Sequence, residues 1–291
     1  MFRDAERKMK VVRGCPIDVY SASYMHQYSY FYKLQHAGQA SEAVRDTCFE
    51  YIVDSSFQND DIGNREVLDK ACELHADTVI PKDYPGERHR TRESMKEFIS
   101  MYEPSEMRPD PMIVVQPPHH EEFEQNEEFY SQFSNFALGG LHNFTPEGQV
   151  NMIKEFRDVV GDYADVHAFG VGTSLTVVQA LRNNPNLVDS LDVSTAESAV
   201  INNKIPDKKW KQTPFHMPRG LASNDVRSRF SEAILYMLNY VLGPLVDDPD
   251  LQEEYYEQTT LADVADMQQQ ETATGAKNPR SWNGGKMMAD D

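Results

Sequence analysis

Cysteine is scarce: Cys15, Cys48 and Cys72 are the only three in 291 residues, and none forms a C-x-x-C pair. That excludes a disulfide scaffold and a cysteine-rich zinc finger. Long apolar runs are missing as well. None approaches the roughly 18 residues of a membrane-spanning helix, which argues against an integral helical membrane protein. The stretch from Met1 to Lys10 is charged and has no secretory hydrophobic region, so no signal peptide is read and a cytoplasmic location is expected. Basic residues are few. The 28 Lys+Arg against 47 Asp+Glu leave a formal charge of −19. This excludes a highly basic, non-specific DNA coat, but not a local basic groove on an acidic body. The acidity fits either plain solubility or a high-salt cytoplasm, where screening makes crowded carboxylates less costly.

Apolar material is sufficient. Hydrophobic residues make up 40% and aromatics 10%, which supports a sizeable core and excludes disorder throughout the chain. Short β-rich runs alternate with helical periodicity. Strands are expected at Tyr51–Val53, Thr78–Ile80, Met112–Val115, Asn135–Leu138, Asp165–Phe169, Leu187–Val193 and Thr213–Met217. Helices are expected over Ile62–His75, Arg92–Met101 and Glu121–Phe133. Thr145-Pro146 reads as a helix start, with Thr as cap and Pro in the first helical position. A helix bearing Leu175, Val178 and Leu181 follows the fifth strand, a short one begins near Thr195, and Asn224–Leu242 carries a strong apolar stripe closed by Gly243-Pro244. A strand at Ile17–Tyr20 with a helix near Ala40–Glu50 brings the βα units to eight. Eight such units predict an α/β fold of the closed (β/α)8 TIM type, with a doubly wound open sheet as the alternative. The barrel is assigned to residues 1–257. From Gln258 the chain turns polar, and residues 258–291 are read as a solvated C-terminal extension.

In such a barrel the chemistry sits at the C-terminal ends of the strands. Here those ends carry Asp54, Asp83, Gln116, Gly139-Gly140, Gly170-Val171-Gly172 and Asp192. Singly, each suits a turn or a helix cap. Together, three carboxylates, an amide and close-approach glycines at successive strand ends predict one polar site. His119-His120 and His142 are read as unliganded surface histidines, so no metal is expected.

The same residues resemble the tRNA-guanine transglycosylase superfamily, and most closely its branch that places 7-deazaguanines in the DNA of phages, archaeal viruses and genomic islands. The resemblance runs from about Ile52 to Thr195, roughly half of the chain. Asp54-Ser55-Ser56-Phe57-Gln58 resembles D-S-G-G-F-Q, one residue shorter. Pro81-Lys82-Asp83-Tyr84-Pro85 resembles P-L-D-I-P. Val114-Val115-Gln116 resembles V-Q-G, with Pro117-Pro118 in place of glycine. Leu138-Gly139-Gly140-Leu141 resembles I-G-G-L, His167 to Gly172 resembles H-L-x-G-x-G, and Val188 to Asp192 resembles x-D-x-F-D.

The resemblance implies a base exchange through a covalent glycosyl-enzyme. It makes Asp192 the nucleophile, with Asp189 as its near rival, and Asp54 the general acid/base. Asp83 and Gln116 would grip the guanine-like edge, the backbone of Gly139, Gly140 and Leu141 would approach the base, and Phe57 would stack on it. Arg88, Arg90 and Arg92, with Lys208, Lys209 and Lys211 around Trp210, would follow the phosphate backbone. The family's tRNA enzymes carry a C-x-C-x-x-C…H zinc site after the barrel. No cysteine follows Cys72, so that site is absent, no cofactor is expected, and DNA is favoured over tRNA. The lack of room for an RNA-binding C-terminal module points the same way. The expected partners are DNA, reached by base flipping, and a free 7-deazaguanine of the preQ0 or preQ1 type. No membrane is involved, and a homodimer is compatible with the reading. Protection of viral or mobile DNA from restriction, within a host cytoplasm, is the implied role. The alternatives are a tRNA-guanine transglycosylase and a non-catalytic nucleic-acid-binding barrel. A metal-dependent barrel hydrolase would want a His/Asp set at strand ends; none is visible in the sequence, where His167 reads as the start of a strand.

Overall fold

A computed structural model describes residues 17–22, 32–55, 61–103, 108–171, 174–194, 204–206 and 212–214. Nine parallel strands form one sheet: β1 (Asp18–Ala22), β2 (Tyr32–His36), β3 (Glu50–Asp54), β4 (Thr78–Ile80), β5 (Asp110–Pro111), β6 (Ile113–Val115), β7 (Asn135–Leu138), β8 (Asp165–Ala168) and β9 (Ser190–Val193). Their order is β5-β4-β3-β2-β1-β9-β8-β7-β6. The two end strands are halves of one extended segment, separated only by Met112. Its first half pairs with β4 and its second half with β7, and Met112 N–H still donates to Val79 O at 2.9 Å. The sheet therefore curls into a ring of eight strand positions, a TIM-type α/β barrel.

The helices fill the outer layer: α1 (Glu42–Arg45), α2 (Asn64–Glu73), α3 (Arg88–Met101), α4 (His119–Gln125), α5 (Glu127–Tyr130), α6 (Pro146–Val160) and α7 (Leu175–Asn183). Strand alternation explains the two cores. Tyr51 and Val53 face outward and bury against Val67, Leu68 and Ala71 of α2 and Phe98 of α3. Ile52, between them in sequence, joins Tyr20, Tyr32, Leu34 and Ile80 in a second cluster. Asp54 shares its strand face with Ile52, so it lies on the inner face, at the end of β3. Thr145 caps α6 by accepting from Gly148 N–H, with Pro146 in the first turn as expected. Among the described residues no helix is long and apolar enough to cross a membrane.

Two strand assignments change. The eighth barrel position belongs to Tyr32–His36, which the periodicity passed over, and not to Thr213–Met217. Gln212–Pro214 instead pairs antiparallel with Lys204–Pro206 in a separate two-stranded sheet. The helix expected near Ala40–Glu50 is a single turn, because Glu50 already begins β3. The expected helices near Thr195 and over Asn224–Leu242, and the polar extension from Gln258, lie outside the described residues.

Candidate active site

Parallel strands put all their C-terminal ends at one mouth, and the expected carboxylates meet there. Asp54 ends β3, Asp83 follows β4 by three residues, and Asp192 is the third residue of β9. His36, the last residue of β2, is a fourth member. It sits in register with Asp54, and its Nδ1 lies 3.0 Å from Asp54 Oδ2. The hydrogen bond to Asp54 raises the pKa of His36 above the usual histidine value. Burial opposes this, while the charges of Asp54 and then Asp192 reinforce it. The field of both carboxylates thus reaches one imidazole.

Asp83 is buried, and its pKa is pushed up to about 7, first by burial and then by the charge of Asp54, with Lys82 opposing. It is a carboxyl that changes protonation near neutral pH. Gln116 orients it: Nε2 donates to Asp83 Oδ2 at 2.9 Å, while Oε1 accepts from Gly86 N–H at 3.0 Å. The Gly86 donor fixes which end of the amide is oxygen. Gln116 is itself buried against Gly139 and Gly140. A Cβ on Gly139 would stand 2.5 Å from Gln116 Nε2, and Gly140 adopts φ +69°, so glycine is required at both positions.

The loop that carries Asp83 is held from two helices. Asn64 Oδ1 accepts from Lys82 N–H at 2.8 Å, while its Nδ2 donates to Ser94 O, Ser94 Oγ and Glu97 Oε2. Thr91 Oγ1 both accepts from Tyr84 N–H and donates to Tyr84 O. Ser55 Oγ donates to Pro81 O and ties the end of β3 to the same loop.

Asp192 Oδ1 accepts from Gly170 N–H at 2.8 Å and lies 3.7 Å from His167 Nε2. His167 is the third residue of β8, not a strand start, and its buried ring is anchored by Nδ1 to Ser190 Oγ at 2.8 Å. Asp189, the rival nucleophile, precedes β9 at the opposite end of the strand. Its Oδ2 accepts from Arg157 at 2.7 Å and from Val166 N–H at 2.9 Å, a role in closing the far rim. Sequence spacing favours Asp192 over Asp189, and the strand direction places the two at opposite ends of β9.

The other expected residues are distributed as follows. The Leu141 side chain is in the core and its carbonyl accepts from Gln149 Nε2, while the Gly139 carbonyl accepts from His119 Nε2. The Gly140 carbonyl accepts from Asn143 N–H at 3.2 Å, so all three backbone carbonyls in that turn are already engaged. His119 is fully buried, a correction to its reading as a surface residue. Burial pushes its pKa down to about 4, so the ring is neutral and Nε2 carries the hydrogen. Arg92 forms a buried ion pair with Glu122, which also accepts from Tyr130 Oη. Arg88 lies 3.8 Å from Glu121, and the Arg90 guanidinium covers the Tyr84 ring at 3.6 Å. Of the three, Arg90 is the most exposed at the start of α3. Phe57, Lys208, Lys209 and Lys211 lie outside the described residues.

Sequence reading missed His36, although Tyr-Lys-Leu-Gln-His alternates strictly, which is a strand signal. A His/Asp pair at strand ends therefore does exist, yet among the described residues no group of three or more such side chains is placed to hold a metal ion. The mouth thus combines a carboxylate held by a backbone N–H, a His–Asp hydrogen bond and a carboxyl that titrates near pH 7. That set suits proton transfer coupled to nucleophilic attack. No protein-family model matches the chain, and no curated protein matches it.

Proposed function

We propose that this chain is a DNA-guanine transglycosylase that exchanges guanine for a 7-deazaguanine. The observation that carries the reading is the meeting of Asp54, Asp192 and the Asp83–Gln116 pair at one barrel mouth, in the chain order of the motifs they resemble. Asp192 attacks C1′ of a flipped deoxyguanosine. The C1′–N bond breaks as the C1′–O bond forms, and Asp54 gives a proton to the departing guanine. The incoming base then loses its ring N–H proton to Asp54 and attacks C1′, which releases Asp192. Asp83, when ionised, accepts from the N–H donors of the guanine-like edge, and Gln116 holds it in place.

DNA is preferred over tRNA because no cysteine follows Cys72, so the zinc element of the tRNA enzymes has no ligands in this sequence. The test is a base-exchange assay with labelled guanine or preQ0, offered with DNA and with tRNA, at low and high salt. Incorporation into DNA that disappears in Asp192→Ala supports the reading. Incorporation into tRNA alone moves the protein to the tRNA branch. No exchange into either polymer at any salt overturns the assignment and leaves a binding barrel.

A further inference from the structure

Base exchange as proposed above asks Asp54 to hold a proton at neutral pH and later to take one back. An imidazole titrates near that pH and can store such a proton. His36 stands within reach, as the in-register neighbour of Asp54 with 3.0 Å between Nδ1 and Oδ2. The two side chains are 30% and 11% exposed, so the contact is largely shielded from water but not sealed.

The charged surroundings favour a protonated imidazole. Asp54 acts from β3, and Asp192 acts from β9. On the other side of β2, the titratable side chains of β1 on this face are Asp18 and Tyr20. The Tyr20 hydroxyl donates to Glu50 at 2.7 Å, and burial with the Glu50 charge keeps it protonated. Lys33, the one cation on β2, belongs to the outer face, where it donates to Thr47 Oγ1. Among the described residues, the charges that act on His36 are those of Asp54 and Asp192, both anionic.

We infer that His36 and Asp54 form one proton-carrying unit, in which His36 is the reservoir and Asp54 the group that meets the base. The Nδ1 proton of the imidazolium crosses to Asp54, and from Asp54 to the guanine as its C1′–N bond breaks and the bond to Asp192 forms. His36 is left neutral. When the second base arrives, its ring N–H proton returns through Asp54 to His36, the new C1′–N bond forms and the C1′–O bond to Asp192 breaks. The cycle is neutral in protons and needs no other reactant. His36 acts through Asp54, so it is a positioning residue. The inference rests on the base-exchange reading.

Two measurements test it. In the exchange assay, His36→Gln can still donate a hydrogen bond to Asp54 but cannot carry a titrating proton. The expected result is a kcat lower by roughly 100-fold, in the range of general acid–base effects. KM for the free base should change little, and the fall in rate at alkaline pH that the imidazole sets should be lost. Independently, the imidazole signal of His36, assigned by its loss in His36→Gln, is followed by NMR against pH. Its midpoint should lie above that of a free histidine and drop in Asp54→Asn. A His36→Gln enzyme with wild-type kcat and pH profile, or an imidazole midpoint indifferent to Asp54→Asn, overturns the relay alone. A wild type inactive on both polymers overturns the base-exchange reading and the proton transfer built on it.

Discussion

Replacing Asp83 with Asn should stabilise the protein while weakening its hold on a base, and both effects should grow with pH. Burial and the Asp54 charge move the Asp83 pKa from an ordinary 3.8 to about 7. Between those values the folded chain binds more protons than the unfolded one, so stability falls as pH rises through this window. The difference is about 7 − 3.8, or about three pH units, each worth about 1.36 kcal/mol, which gives roughly 4 kcal/mol by pH 8. Relaxation around the ionised group reduces this, so about 2–4 kcal/mol is expected. Asparagine keeps an oxygen for the Gln116 Nε2 donor and has no charge to bury. Urea unfolding of both proteins from pH 4 to 8 measures the difference. The curves should lie within about 1 kcal/mol at pH 4 and separate steadily above it. A gap that stays constant with pH, or an Asn variant that is less stable at pH 8, would refute the reasoning. In the wild type, base affinity should rise as Asp83 ionises near pH 7, and Asp83→Asn should remove that rise.

Other perturbations separate holding from gripping. Gly139→Ala forces the Gln116 amide aside, because the new Cβ would stand 2.5 Å from Nε2. A loss of about 1–3 kcal/mol in thermal unfolding is expected, with KM for the base raised more than kcat is lowered. Asn64→Ala removes the acceptor of Lys82 N–H and the donor to Ser94 and Glu97. It should cost about 2–3 kcal/mol in urea unfolding and loosen the Asp83 loop. Arg92→Ala strands Glu122 in the interior and should cost roughly 3–5 kcal/mol, without changing the salt dependence of DNA binding. Arg90→Ala should do the reverse: near-wild-type stability, and a salt slope in fluorescence anisotropy reduced by about one.

The sequence by itself determined the elements whose signals are local. Short β-rich apolar runs placed β3, β4, β7 and β8, and Thr145-Pro146 placed the start of α6, because strand and cap propensities depend on a few neighbouring residues. It also put Asp54, Asp83, Gln116 and Asp192 at strand ends, since a polar residue after an apolar run is visible in one dimension. Closure was not visible. Only the pairing of Asp110-Pro111 with β4 and of Ile113–Val115 with β7 makes a ring, and pairing between distant segments leaves no local mark. Neither was β2, whose Lys33 and Gln35 look exposed in sequence yet are buried, with partners supplied by Thr47 in the turn after α1 and by Tyr51 on β3. The tertiary structure alone decided that Asp189 binds Arg157 at the far rim, and that His36 meets Asp54. Strand direction and register set both, and those are fixed by packing across the barrel.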